Sequence, residues 1–324
     1  MKLNAEQLKS IAVGVARVEE KDGKVYLLRF TKEQEELYKE TNADFYKKTF
    51  ATAGVRLEFI TDSRTLSMET EQSSGSSRKY FQHSIFVDGK KYANLGAKSD
   101  FGAFGGKWTL PDGEKKIAIY FPWSTCSAIK SFELDDGASI VPAKKTHTMI
   151  SFGDSITHGY DASSPELSYA SKLADALDAD SRNKGIGGEI FRPELAMLSD
   201  GISPDYISVA YGTNDWSACD IDTFKRNCRG FYEALAKNYP EAKIFAFTPI
   251  WRKDIQDKKT AGEFHVIPDF IEELAKEIPN MIAINCLPFI PEDISCFSKD
   301  GVHPNDKGFD YYAEGAVNEV KKHL

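Results

Sequence analysis

Past Pro142 the chain changes its hydrophobic rhythm, and that change limits the fold more than any other feature. From here on, short apolar runs alternate with amphipathic stretches. Strand candidates fall at 147–152, 181–186, 205–211, 242–248 and 281–286, and helix candidates at 166–178, 221–238, 265–277 and 306–322. Five strands separated by helices predict a parallel sheet with helices on both faces. Ligands of such sheets bind beyond the carboxyl ends of the strands. Ser155, Gly188, Asn214 and the 249–262 loop all follow strand candidates at that end.

Before Pro142 the dominant period is two. Val55–Phe59 and Lys115–Phe121 alternate apolar and polar residues, and Ile85–Tyr92 reads as strand, Asp-Gly turn, strand. Residues 31–50 read as helical. Several short strands with turn signals predict a β-sandwich at about 20–140. Ser73–Arg78 reads as an exposed hairpin tip, and Ser99–Lys107, with three glycines, as an irregular loop. A length of 324 residues suits two domains, 1–142 and 143–324.

Composition removes several classes. No run of about 18 apolar residues exists, which argues against a membrane span. The first residues lack the apolar centre of a secretory signal, so the expected location is cytoplasmic. Five cysteines, at 126, 219, 228, 286 and 296, are too few and too scattered for a disulfide framework or a zinc site. The net charge is −8, with +3 over residues 1–145 and −11 beyond. An acidic second half disfavours nucleic acid or an anionic membrane as partner. The oligomeric state is not readable.

The chemistry lies in four short segments. Gly153-Asp-Ser155 closes the first apolar run of the second half. A Ser opening a helical turn there presents its hydroxyl, and its own N–H is a free donor. Asp300-Gly-Val-His303 lets a carboxylate and an imidazole meet across one turn, so that Asp300 orients His303 as the base for Ser155. Gly212-Thr-Asn-Asp215 puts the Asn214 amide just past a strand, as a donor to an oxyanion, and Gly187-Gly188 offers an unobstructed N–H. Each segment alone is also a common cap or turn. Together and in this order they are the parts of a serine acyl hydrolase.

This ordered set resembles the SGNH, or GDSL-type, hydrolase superfamily. Ser155 matches its nucleophile, Asn183–Gly188 its second block with Gly188 as oxyanion donor, Asn214 its third, and Asp300–Pro304 its last. The resemblance covers about 145–324. It implies a flavodoxin-like three-layer α/β fold and ester hydrolysis without metal or cofactor. The β region placed before it is similar to the jelly-roll module of two-domain family 2 carbohydrate esterases, which points toward removal of acetyl groups from sugars.

Asp154, Trp216, Trp251 and Arg252 are the candidate substrate contacts. Trp251 suits stacking on a sugar and Arg252 hydrogen bonding, though an ordinary surface loop reads the same way. Trp216 is either the wall of an acyl pocket or a core aromatic. His158, three residues from Ser155, lacks an acidic orienter and is the lesser candidate for the base. The leading expectation is an esterase acting on an acetylated sugar or oligosaccharide. A lipase, thioesterase or lysophospholipase is the same-class alternative, disfavoured by the polar 250–262 loop. A carbohydrate-binding scaffold with a relic hydrolase half is the alternative from another class. The sandwich is expected to pack on the catalytic half without supplying a catalytic group, so that residues 143–324 alone, if soluble, would still cleave a small aryl acetate.

Overall fold

The run His147–Gly153 forms a strand because it is apolar on both sides, and a parallel strand covered by helices needs no polar face. In the computed structural model, which describes residues 1–97 and 101–324, it lies in a five-stranded parallel sheet. The order is Ala179–Asn183, His147–Gly153, Tyr206–Ala210, Lys243–Phe247, Met281–Ile284. In chain order that is 2-1-3-4-5, a doubly wound arrangement. Alternate residues feed two cores. Ile150, Phe152, Ile207, Val209 and Ile244 face the helices Ile221–Asn238 and Val266–Ala275. Met149, Tyr206, Phe245 and Phe247 face Tyr169–Ala176 and Asp306–Lys321. The two longest helices start where side chains cap them: Asp220 accepts from the Thr223 N–H at 2.8 Å and Asn305 from Gly308 at 3.2 Å.

The earlier strands form two antiparallel sheets. One runs Ala12–Val13, Arg56–Thr61, Lys115–Tyr120, Phe81–Val87, Lys90–Ala97, and the other Arg17–Lys21, Lys24–Leu28, Thr125–Leu134, Thr65–Ser74, Gly102–Thr109. Leu57, Phe59, Ile117 and Ile119 meet Leu66, Met68 and Phe132 between them. The turn at Asp88-Gly89 joins two paired strands as expected, with Asp88 at φ 47°. Two local expectations are corrected. Residues 102–109 form a strand, pairing Phe104 with Thr70 and Trp108 with Leu66. Gly106 is needed there because the Trp108 ring lies within 2.4 Å of where its Cβ would be. Ser99 and Asp100 lie outside the described residues. Ser73–Arg78 is a crossover between sheets, not a hairpin tip: Thr65–Ser74 pairs in one sheet and Phe81–Val87 in the other. Its Gly75 and Ser76 are buried.

The helical stretch read at 31–50 is a pair, Lys32–Thr41 and Ala43–Thr49. It leaves the sandwich and packs on the parallel-sheet half, where Phe30 and Tyr38 join the core with Phe152, Ile186 and Phe191. Arg29 is fully buried at this junction. Its guanidinium donates to the carbonyls of Lys48 and Ala51 behind it and to those of Asn183 and Gly185 ahead of it, at 2.7–2.9 Å. Lys184 answers from the other side, pairing with Asp200 at 2.6 Å and donating to the Arg29 carbonyl. Buried charges of this kind persist only when so fully satisfied. None of the described helices is long and apolar enough to cross a membrane.

The sandwich core holds one acid-sensitive group. His83 is fully buried, with Nδ1 on the Leu95 carbonyl at 3.2 Å and Nε2 on Ser127 Oγ at 2.9 Å. Burial pulls its pKa down to about 4, against the smaller effect of the Leu95 bond. The unfolded chain therefore binds the proton first as pH falls, and stability present above about 6.5 is lost down to about 4. A shift of this size corresponds to roughly 3 kcal/mol. Urea unfolding across that window should steepen with acid in the wild type and less so in His83→Gln; equal pH slopes would show that His83 does not contribute.

Candidate active site

Gly153 ends the first strand of the sheet and Ser155 opens the short helix Ser155–His158. Glycine is required at 153 by close packing rather than by its φ. A Cβ there would lie 2.0 Å from Thr157 Oγ1 and 3.0 Å from the Ala210 carbonyl. Asp154 caps the helix, accepting from the Ile156 N–H at 2.8 Å. It is 1% exposed, and burial pushes its carboxyl up to about 7. The expectation that Asp154 touches substrate is thus corrected: its side chain is turned inward and spent on the cap.

Ser155 Oγ donates to His303 Nε2 at 2.7 Å, and His303 Nδ1–H donates to Asp300 Oδ2 at 2.6 Å. The other Asp300 oxygen accepts from the Val302 and His303 N–H groups at 2.9 and 3.1 Å. Partial burial works against its charge. These N–H bonds and the imidazole outweigh that, so the carboxyl sits below the usual carboxylate range. His303 is also stacked on Tyr160, 5.7 Å between ring centres and 24° between planes. His158 is 1% exposed, its Nε2 on the Trp123 carbonyl at 2.8 Å, and burial pulls its pKa well down. It does not reach the site.

The donors converge on the same end of the sheet. Gly188 takes φ +92°, a conformation natural to glycine, and it is exposed. Its N–H meets no acceptor among the described residues, and neither does that of Ser155. Asn214 donates one amide N–H to the Glu189 carbonyl at 2.9 Å, which ties the third block to the loop of the second and leaves its other N–H for a ligand. Asp215 fixes the same pair of turns, accepting from Phe191 and Gly212 at 3.0 Å each. Asn214→Ala should lower kcat by roughly 10²–10³ with little change in KM. Steady-state kinetics showing an effect on KM alone would place Asn214 in substrate binding instead.

Two further candidates are engaged by the protein itself. Trp216 is fully buried, its indole N–H on the Gly262 carbonyl at 2.9 Å and its ring edge-on to Phe264, so it is a core aromatic and walls no pocket. Arg252 spends its donors on Asp254 and, at 3.1 Å, on the Thr213 carbonyl, with its guanidinium 5.2 Å over Trp216. It braces the turn that carries Asn214. Trp251 is half-buried against Phe297 at 5.2 Å, which leaves it a partial open face.

Other residues near the triad carried no signal in the sequence. Arg78 makes a two-pronged bond to Asp161 at 2.7 and 2.9 Å and covers the Tyr160 ring at 5.2 Å. Asp161 lies 4.0 Å from His303 Nδ1, so Arg78 neutralises a second carboxylate beside the imidazole. A cleft of about 1290 Å³ meets this cluster at Asp161 and Asp300. Arg78, Gln82, Lys91 and Asn94 line it from the sandwich, and Phe297, Ser298 and Lys299 from the loop before His303.

Comparison with known proteins agrees with this arrangement. The GDSL-like lipase/acylhydrolase family model matches residues 151–311. No curated protein sequence matches the chain. Among solved structures, a salicylyl-acyltransferase from a tetracycline biosynthetic pathway is 21% identical, with a TM-score of 0.85 over 96% of this chain and 94% of its own. A family two carbohydrate esterase from Cellvibrio japonicus is 19% identical, with a TM-score of 0.71 over 99% and 97%. An acetyl xylan esterase from the rumen bacterium Butyrivibrio proteoclasticus is 17% identical, with a TM-score of 0.62 over 84% and 89%. Likenesses at these identities establish a shared fold that extends through the sandwich. The segment from 151 to 311, which holds every group from Ser155 to His303, is a domain of the GDSL-like lipase/acylhydrolase family.

Proposed function

We propose that this chain is a serine esterase that removes small acyl groups, acetyl foremost, from a carbohydrate. The observation that carries the reading is the continuous relay from Asp300 through His303 to Ser155, at 2.6 and 2.7 Å, beside unpaired donors at Ser155, Gly188 and Asn214. Ser155 attacks the ester carbonyl while His303 Nε2 takes its proton. The oxyanion is held by the Ser155 and Gly188 N–H groups and the Asn214 amide. His303 returns the proton to the leaving alcohol, and Asp300 stabilises the imidazolium meanwhile. Water, activated by the same imidazole, releases the acid and frees Ser155.

The substrate class rests on the cleft and the fold. The amide and ammonium groups of Gln82, Asn94 and Lys91 suit a hydroxyl-rich leaving group, and the sandwich that supplies them, which we read as jelly-roll-like, occurs with carbohydrate esterases of similar fold. The 250–262 loop is dominated by charged residues, Arg252, Lys253, Asp254, Asp257, Lys258 and Lys259, which disfavours a long acyl chain. Acetate release from a panel of acetylated oligosaccharides, set beside long-chain acyl glycerides and acyl thioesters, tests the reading. Faster turnover of the long-chain or thioester substrates would replace the carbohydrate assignment with a lipase or thioesterase.

A further inference from the structure

The helix Ala43–Thr49 ends against the loop that carries Gly188, and one of its side chains meets that loop at a single atom. Lys48 is 7% exposed, and its ammonium donates to the Gly187 carbonyl at 2.7 Å across 139 residues of chain. That carbonyl belongs to the peptide unit whose other end is the Gly188 N–H. The chain contains no cis peptide bond among its described residues, so the C=O and N–H of this unit point in opposite directions. A cation held on the oxygen therefore sets the direction of the N–H. It also polarises the unit, because hydrogen bonding at one end of a peptide strengthens donation at the other. The Lys48 ammonium also pairs with Asp44 and stands 5.3 Å over the Phe45 ring, and Phe45 lies beneath Gly188, 3.5 Å from where a Cβ would be. Arg29 secures the preceding turn through the Asn183 and Gly185 carbonyls.

We infer that Lys48, from the N-terminal half, is a positioning residue for the oxyanion donor: its ammonium orients and polarises the Gly187–Gly188 peptide from behind. This rests on the esterase reading above. Lys48 touches neither substrate nor Ser155. Its contribution appears where negative charge develops on the carbonyl oxygen and not where the ground-state ester binds.

The test is kinetic and uses the full chain with a chromogenic acetyl ester. Lys48→Met should lower kcat about tenfold, less than loss of a whole donor, with KM within about twofold. Binding of a trifluoromethyl ketone, whose adduct with Ser155 places an oxyanion in the same position, should weaken in parallel with kcat. Lys48→Arg, which keeps a charged donor, should recover most of the rate, and Lys48→Gln should fall between. A change in melting temperature without the parallel between kcat and ketone affinity would mean a merely structural role and overturn the inference. Should Lys48→Met fold poorly, the polar, uncharged Lys48→Gln decides the same way. Asp44→Asn removes the ammonium's exposed partner while sparing its bond to Gly187, and should leave kcat near wild type. Ser155→Ala separates the two levels. If it retains hydrolysis, the esterase reading and this inference fall together; if it is inactive while Lys48→Met keeps wild-type kcat, only the inference falls.

Discussion

Ser155→Ala is expected to lower kcat for a small aryl acetate by five to six orders of magnitude, roughly the cost of removing a triad serine. Ser155 is 7% exposed and its hydroxyl makes one side-chain bond, to His303. The helix that begins there is capped by Asp154, not by Ser155. The melting temperature should therefore stay within a few degrees. His303 would keep its bond to Asp300 and its stacking on Tyr160, so the residual site would be intact apart from the nucleophile. Purified Ser155→Ala with more than a percent of wild-type turnover would mean that another group attacks the ester.

The second large effect is expected from deleting residues 1–142. Composition and period argue that 143–324 would keep its chemistry on a small ester. The contacts across the junction argue for a larger effect. Without Arg29 the Asn183 and Gly185 carbonyls lose their buried donor, and Lys184 loses the Arg29 carbonyl and the Gln34 side chain. Gln34 also leaves Asp200, to which it donates at 2.9 Å. Unsatisfied buried groups cost about 1–3 kcal/mol each, and the loss of Phe30 and Tyr38 opens the core further. Several such losses match the whole stability of an ordinary domain. The fragment should show no cooperative thermal transition, or, if folded, a kcat at least about 100-fold down from a displaced Gly188 donor. A folded fragment with wild-type kcat on the aryl acetate would show that the sandwich half only binds.

What could be read beforehand follows from where the information sits. Ser155, Asn214, Asp300 and His303 lie in short segments whose function needs neighbours a few residues away. The helix Ile221–Asn238 was readable to both ends because its period is long and its cap, Asp220, is local. Trp216 and Asp154 adjoin those segments, yet adjacency in sequence does not fix direction. The interior takes both side chains. Arg29, Lys48 and Arg78 were invisible for the opposite reason. A basic residue normally faces water, and the contact of each that bears on the site spans more than 80 residues. The glycine-rich segment at 102–109 misled because glycine weakens a strand on average, whereas here it makes room for Trp108.

Arg29 bears on how the protein comes into being on the ribosome. Its carbonyl partners at Asn183 and Gly185 follow it by 154 and 156 residues. At ordinary translation speeds that gap lasts roughly 8–30 s, far longer than a helix or hairpin needs to form. During this interval the sandwich can close, but Phe30, Tyr38 and the guanidinium wait exposed. Closure of the active site is therefore a late event that joins distant stretches, the kind of contact that slows folding and favours misassembly. Nascent chains stalled between 142 and 183 should be the species that chaperones hold, and substitutions at Arg29 should reduce the yield of soluble enzyme before they change any rate constant.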